Sequence, residues 1–142
     1  MSKEILFIDD EPFFASRYVE ELEKRSVVHF RDSAQAGLVA FDEHAEIGCV
    51  VLDIMMPPPE GVTLASTGDG LDTGLWVLES LKDRLIEKKI PVVVLTNRMS
   101  SHVQGTIDKL GFPDGFVEVR SKIETPRFYL PHAIGKLLDK WA

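Results

Sequence analysis

The sequence predicts an α/β fold, a doubly wound five-stranded parallel sheet with helices on both faces. Two observations carry this. Five short apolar, β-branched runs alternate with longer amphipathic segments along the chain, the pattern of strands joined by crossover helices. One run, Ile47 to Leu52, is apolar throughout, as a strand covered on both faces should be. The chain has 142 residues, 44% apolar and 27% charged, which suits one core, so residues 1–142 are expected to form one domain.

The elements follow in order. Ile5-Leu6-Phe7-Ile8 reads as the first strand. Phe13 to Arg25 follows as a helix, with Phe14, Tyr18 and Leu22 inward and Glu20, Glu21, Glu23 and Lys24 outward. Val27 to Phe30 is the second strand. Asp32-Ser33 caps a helix through about Glu43, with Ala34, Leu38 and Phe41 on its inner face. After the third strand, Pro57 to Thr73 is a long loop rich in Pro, Gly and Ser. Asp72 to Ile86 is the third helix, carrying Leu75, Leu78, Leu81 and Leu85. Pro91 to Leu95, Ser100 to Leu110 and Phe116 to Val119 read as strand, helix and strand. Arg120 to Arg127 is irregular. A last helix starts near Phe128, with Ile134, Leu137, Leu138 and Trp141 on one face and Pro131 in its first turn, where proline is tolerated.

Composition narrows the function. The formal net charge is −7, which argues against direct nucleic-acid binding, since such affinity comes largely from neutralising phosphates. No apolar run approaches the roughly 20 residues that span a bilayer, and no signal peptide is evident, so a cytoplasmic location is expected. Paired zinc-ligand motifs are absent, and His29, His44, His102 and His132 are scattered; each reads as a surface or structural residue. Cys49, inside an apolar run, reads as a small buried hydrophobe.

In doubly wound folds the functional crevice lies beyond the carboxyl ends of the strands. The first strand ends in Asp9-Asp10-Glu11, the third in Asp53, the fourth in Thr96-Asn97, and the fifth precedes Arg120 and Lys122. Asp9, Asp10 and Asp53 as bare anions in one pocket would repel strongly. A hard divalent cation, Mg2+ or Mn2+, relieves that repulsion and accepts carboxylate and phosphate oxygens. Asp53 could then act as a nucleophile toward phosphorus, with the metal and a lysine stabilising transferred charge. Any single acid here could instead be a helix cap. The set of four positions is harder to explain that way.

Three motifs carry a resemblance. Ile5-Leu6-Phe7-Ile8-Asp9-Asp10-Glu11, Val50-Val51-Leu52-Asp53-Ile54-Met55-Met56-Pro57 and Val92-Val93-Val94-Leu95-Thr96 resemble, in order, the opening, the phosphorylation-site strand and the fourth strand of response-regulator receiver domains. The similarity covers essentially the whole chain. It implies the flavodoxin-like (βα)5 fold with strand order 2-1-3-4-5. It further implies phosphorylation of Asp53 by a histidine kinase or histidine phosphotransfer protein. Asp10, Asp53 and the backbone carbonyl of Met55 would bind Mg2+ directly, Asp9 mostly through water. Thr96 and a lysine would contact the phosphoryl group. Such a receiver is a switch, not a turnover enzyme. With the chain ending at Trp141-Ala142, output is expected through another protein, or through a homodimer on activation, with no membrane or direct nucleic-acid partner.

The sequence departs from that family in three places. Gly61 stands at the usual distance for the opening of helix three, yet Gly74-Leu75-Trp76-Val77-Leu78 fits it better, implying an insertion of about thirteen residues beside the site. Asn97 is larger than the usual residue after the switch threonine. The family's Lys-Pro is replaced by Arg120-Ser121-Lys122; Lys122 is the choice for the phosphate-binding lysine and Arg120 the runner-up. Phe116 and Val119 both stand for the family's aromatic switch position. Met55 and Arg98, two residues beyond Asp53 and Thr96, flank the expected path of attacking water and predict a long-lived phosphorylated state. The alternatives weighed are a receiver-like docking module that is never phosphorylated, and an aspartate-nucleophile hydrolase of the haloacid-dehalogenase type. The latter needs a second Asp where Met55 stands.

Overall fold

The computed structural model describes residues 3–98 and 100–141. Its strands are β1 (Glu4–Ile8), β2 (Val28–Arg31), β3 (Ile47–Leu52), β4 (Val92–Thr96) and β5 (Val117–Ser121). Its helices are α1 (Pro12–Glu23), α2 (Ala34–Glu43), α3 (Thr73–Lys88), α4 (Ser101–Leu110) and α5 (Leu130–Trp141). The strands form one sheet, ordered β2-β1-β3-β4-β5 and parallel at every pairing. This is the doubly wound, flavodoxin-like arrangement expected.

Alternation along the central strands divides the core. Leu6, Ile8, Val50, Leu52, Val92 and Val94 face α2, α3 and α4. Ile5, Phe7, Cys49, Val51, Val93 and Leu95 face α1 and α5. Every residue of β3 and β4 is buried, which is why their sequences carry no polar alternation before Thr96. Ser33 and Ser100 cap α2 and α4, their hydroxyls accepting from Ala36 N at 3.1 Å and Val103 N at 3.2 Å. Cys49 is fully buried and its thiol pushed up to about 12 by that burial, so it serves as core. Among the described residues no helix is long and apolar enough to cross a membrane.

Boundaries differ from expectation at β5 and α5. β5 continues past Val119, with Arg120 beside Leu95 and Ser121 beside Thr96. Arg120 therefore lies in the strand, not after it. The helix α5 begins at Leu130 because Pro126 to Tyr129 closes a turn, Tyr129 N donating to Pro126 O at 2.9 Å.

The long loop is folded on itself. Met56 N donates to Gly70 O at 3.2 Å, Asp69 N to Leu64 O at 2.8 Å and Asp72 N to Thr67 O at 2.9 Å. The Thr73 hydroxyl donates to Met56 O, and Thr67, in a short 3-10 turn, is fully buried. Helix α3 opens at Thr73-Gly74, whereas Gly61 sits in the loop with open space around it. Gly74 packs on the strand end that carries Asp53: a Cβ there would lie 2.2 Å from Asp53 O and 2.6 Å from Ile54 Cα. Backbone cannot yield as a side chain can, so Gly74→Ala is expected to destabilise by at least about 1–3 kcal/mol. A urea midpoint equal to the parent's would refute this packing.

Candidate functional site

The residues beyond β1, β3, β4 and β5 meet in a cleft of about 250 Å³ lined by Asp10, Glu11, Asp53, Met55, Thr96, Asn97 and Lys122. Asp53 follows the buried strand β3 and is itself only 4% exposed. Its Oδ1 accepts Ile54 N at 2.7 Å, and its Oδ2 accepts Lys122 Nζ at 3.0 Å. Asp9, 1% exposed, sits behind the cleft. Its Oδ1 accepts Glu11 N at 2.8 Å, a local turn two residues long; α1 itself has Glu11 as its N-cap and no side-chain cap bond, so Asp9 is not its cap. Its Oδ2 lies 3.1 Å from Lys122 Nζ as an ion pair without hydrogen-bond alignment.

Lys122 is the hub. The residue is 5% exposed; its ammonium donates to Glu11 Oε1 at 2.8 Å and to Asp53 Oδ2 and lies 4.5 Å above the Phe14 ring. Burial pulls this lysine down, but Glu11, Asp53 and Asp9 together outweigh it and hold it above the ordinary lysine value. The segment is pinned by Tyr18, whose hydroxyl donates to Thr125 O. Arg120 takes no part: it pairs with Glu118 and lies 4.5 Å over the Tyr129 ring.

Asp9, Asp10, Glu11 and Asp53 each bring a carboxylate oxygen within 4.8 Å of the others. Burial, then the charge of Asp53, push Asp9 up to about 6, against the pull of the Glu11 N–H and Lys122. The same two causes, with Glu11 added, raise Asp10. Four carboxylates against one ammonium leave excess negative charge. The unaligned buried oxygen Asp9 Oδ2 and the all-oxygen donor set fit a hard divalent cation such as Mg2+.

Thr96 is fully buried at the end of β4, its hydroxyl accepting Arg98 N at 3.0 Å. Asn97 borders the cleft from its exposed side. Met55, 41% exposed, forms the opposite wall. Arg98, expected to screen the same space, turns instead toward the loop, its Nε 3.2 Å from Asp72 Oδ1; Asp72 also pairs with His102 at 3.0 Å. Phe116 is locked in the core against Phe112 and Trp141, and Val119 is half-buried in β5. Leu64, Leu71 and Pro58 of the long loop wall a neighbouring hollow that shares Asp10 and Met55 with the cleft.

Glu11 and Phe14 are site residues that the sequence alone does not mark as such. Adjacency to Asp9-Asp10 was the available signal for Glu11; nothing local marks Phe14.

No family model and no curated protein matches the chain. Solved structures do. A CheY-like response-regulator receiver domain from Methanospirillum hungatei aligns with TM-score 0.75 at 20% identity over 99% of this chain and 96% of that chain. The signal receiver domain of an HD-domain-containing protein from Pseudomonas fluorescens aligns with TM-score 0.75 at 17% identity, covering 99% and 97%. A BeF3-activated DrrB receiver domain aligns with TM-score 0.72 at 17% identity, covering 98% and 99%. At these identities the likeness is one of fold, and it extends over nearly the whole chain.

Proposed function

We propose that this chain is a response-regulator receiver: Asp53 accepts a phosphoryl group from a histidine kinase or histidine phosphotransfer protein, and the resulting change of surface signals to a partner protein. The observation that carries the reading is the convergence of Asp53, Lys122, Asp10 and Thr96, from four strand ends, on one cleft. Asp53 supplies the attacking carboxylate oxygen; the phosphorus–nitrogen bond of the donor breaks as an acyl phosphate forms. Lys122, already on Asp53 Oδ2 at 3.0 Å, stands ready to pair with a phosphoryl oxygen. Thr96 can exchange the Arg98 N–H for a bond donated to the phosphoryl group, which would draw the start of α4 with it. Asp10, Asp53 and the Met55 carbonyl would hold Mg2+, with Asp9 behind them. The metal would neutralise charge on the phosphoryl oxygens.

The test is amide NMR of the protein with Mg2+, with and without beryllofluoride. Large shifts at Asp53, Thr96 and α4 that vanish in Asp53→Ala support the reading. No shift in the parent protein would overturn it and favour a docking module.

The lifetime of the phosphorylated form follows from the walls of the cleft. Met55 lines it and Arg98 does not, so apolar screening by Met55 is the element that slows water. The phosphorylated protein is expected to persist for minutes or longer. Met55→Asn should shorten that at least severalfold, and Arg98→Ala should leave it near the parent value. Decay within seconds, followed by intact-protein mass spectrometry, would rule this out.

A further inference from the structure

We propose that Glu4, His29 and His44 form a second metal site, for a borderline transition-metal ion of which Zn2+ is the best fit, away from the acidic cleft. Glu4 opens β1, His29 lies in β2 and His44 is the C-cap of α2. Glu4 and His44 thus mark the amino end of the sheet, whereas the cleft occupies the carboxyl end. His29 Nε2 lies 2.7 Å from Glu4 Oε1. The two imidazole rings are stacked, centroids 3.8 Å apart and planes 17° from parallel. One ligating atom from each of the three residues falls within 4.8 Å of the others.

The donor set decides the ion. Two imidazole nitrogens and a carboxylate oxygen are the ligands of three-coordinate protein sites for Zn2+, which leave a fourth position for water or an outside ligand. Mg2+ prefers oxygen throughout, so the two ends of the sheet select different cations. Tetrahedral bonds of roughly 2.0–2.2 Å place ligand atoms about 3.4 Å apart. The Glu4–His29 contact of 2.7 Å is a hydrogen bond, shorter than that separation, so it opens as the ion enters while the His44 ring turns out of its stack; both are side-chain rotations open to residues that are only half-buried. As a ligand, the Glu4 carboxylate would exchange the proton it shares with His29 Nε2 for the metal. Because the ligands come from β1, β2 and α2, the ion would clamp edge strand β2 and the end of α2 to the sheet. It would stabilise the native state by mass action.

Titration of the full chain with zinc chloride, in excess Mg2+ to saturate the acidic cleft, tests this. One equivalent is expected to bind, to raise Tm, and to shift the ring nitrogen signals of His29 and His44 but not those of His102 or His132. His29→Gln and His44→Gln should each weaken binding at least about tenfold, the effect even of outer-sphere changes at metal sites, while Asp53→Ala leaves it intact. Absence of binding would overturn the proposal. So would binding that survives both glutamine variants, that is lost in Asp53→Ala, or that shifts only His102 or His132. The outcome does not depend on whether Asp53 is phosphorylated.

Discussion

Lys122→Met is expected to destabilise the metal-free protein by about 3–5 kcal/mol at pH 7, because it strips the counter-charge from buried carboxylates. The ammonium lies within 3.1 Å of Asp9, Glu11 and Asp53. Glu11 can turn to water, but Asp9 and Asp53 cannot, being 1% and 4% exposed. Methionine keeps an unbranched side chain of similar length and loses only the ammonium, its contact over the Phe14 ring included, so the loss reads charge more than volume. Mg2+ should restore part of it, by about 2.7 kcal/mol at a hundred times its dissociation constant. Arg120→Met is the contrast: its partner Glu118 is partly exposed, and a loss under about 1 kcal/mol is expected. Urea unfolding with and without Mg2+ measures both. Similar losses for the two variants would mean that the buried carboxylates do not depend on Lys122.

The opposite sign is expected at Asp9. Its folded-state value of about 6 lies above the ordinary 3.8, so the native state holds this proton more tightly than the unfolded chain does. The ionised carboxylate therefore opposes folding: the penalty is absent below about pH 4, grows between 4 and 6, and is complete above 6. Asp9→Asn removes it while keeping an oxygen for the Glu11 N–H. In metal-free buffer at pH 7 this variant should be more stable than the parent by on the order of 1–3 kcal/mol. The difference should shrink toward pH 4, and Mg2+ should stabilise the variant less. Asp10, raised by the same causes, acts in the same direction. The raised value of Lys122 contributes stability that is lost only above the ordinary lysine range, outside this window. Thermal melts across pH 4 to 7 that show the variant less stable throughout would contradict the account.

The fold was legible because its determinants are local. Uninterrupted β-branched runs mark strands covered on both faces, and β3 matches its run residue for residue. Ser33 and Ser100 announce two helices through the backbone donors they satisfy. The strand expected at Phe116 to Val119 stops short because the polar Arg120 and Ser121 end its apolar run; in the sheet Arg120 pairs with Glu118 and covers Tyr129. The choice between Lys122 and Arg120 turned on register. Once Ser121 pairs with Thr96, Lys122 falls at the rim, and no local property of either residue states that. Glu11 meets Lys122 across 111 residues of chain, and His29 meets His44 only because α2 returns beneath β2. The open oxygen of Asp9 depends on angles that exist only in three dimensions.

The pinned ends of the long loop have a consequence for how the chain tolerates change. Met56 and Gly70 share a hydrogen bond, so residues 57–69 leave and re-enter the framework at one point, like a side branch. Chain-closure entropy grows only with the logarithm of length, so lengthening a turn of a few residues to this size costs about 1 kcal/mol. Beyond that point the segment is held by the buried Thr67, whose carbonyl accepts Asp72 N at 2.9 Å. Shortening the loop between Met56 and Gly70 would remove the wall formed by Leu64 and also the Thr67 carbonyl that accepts Asp72 N at the opening of α3. A different sequence could be grafted between the same two residues without renegotiating the sheet.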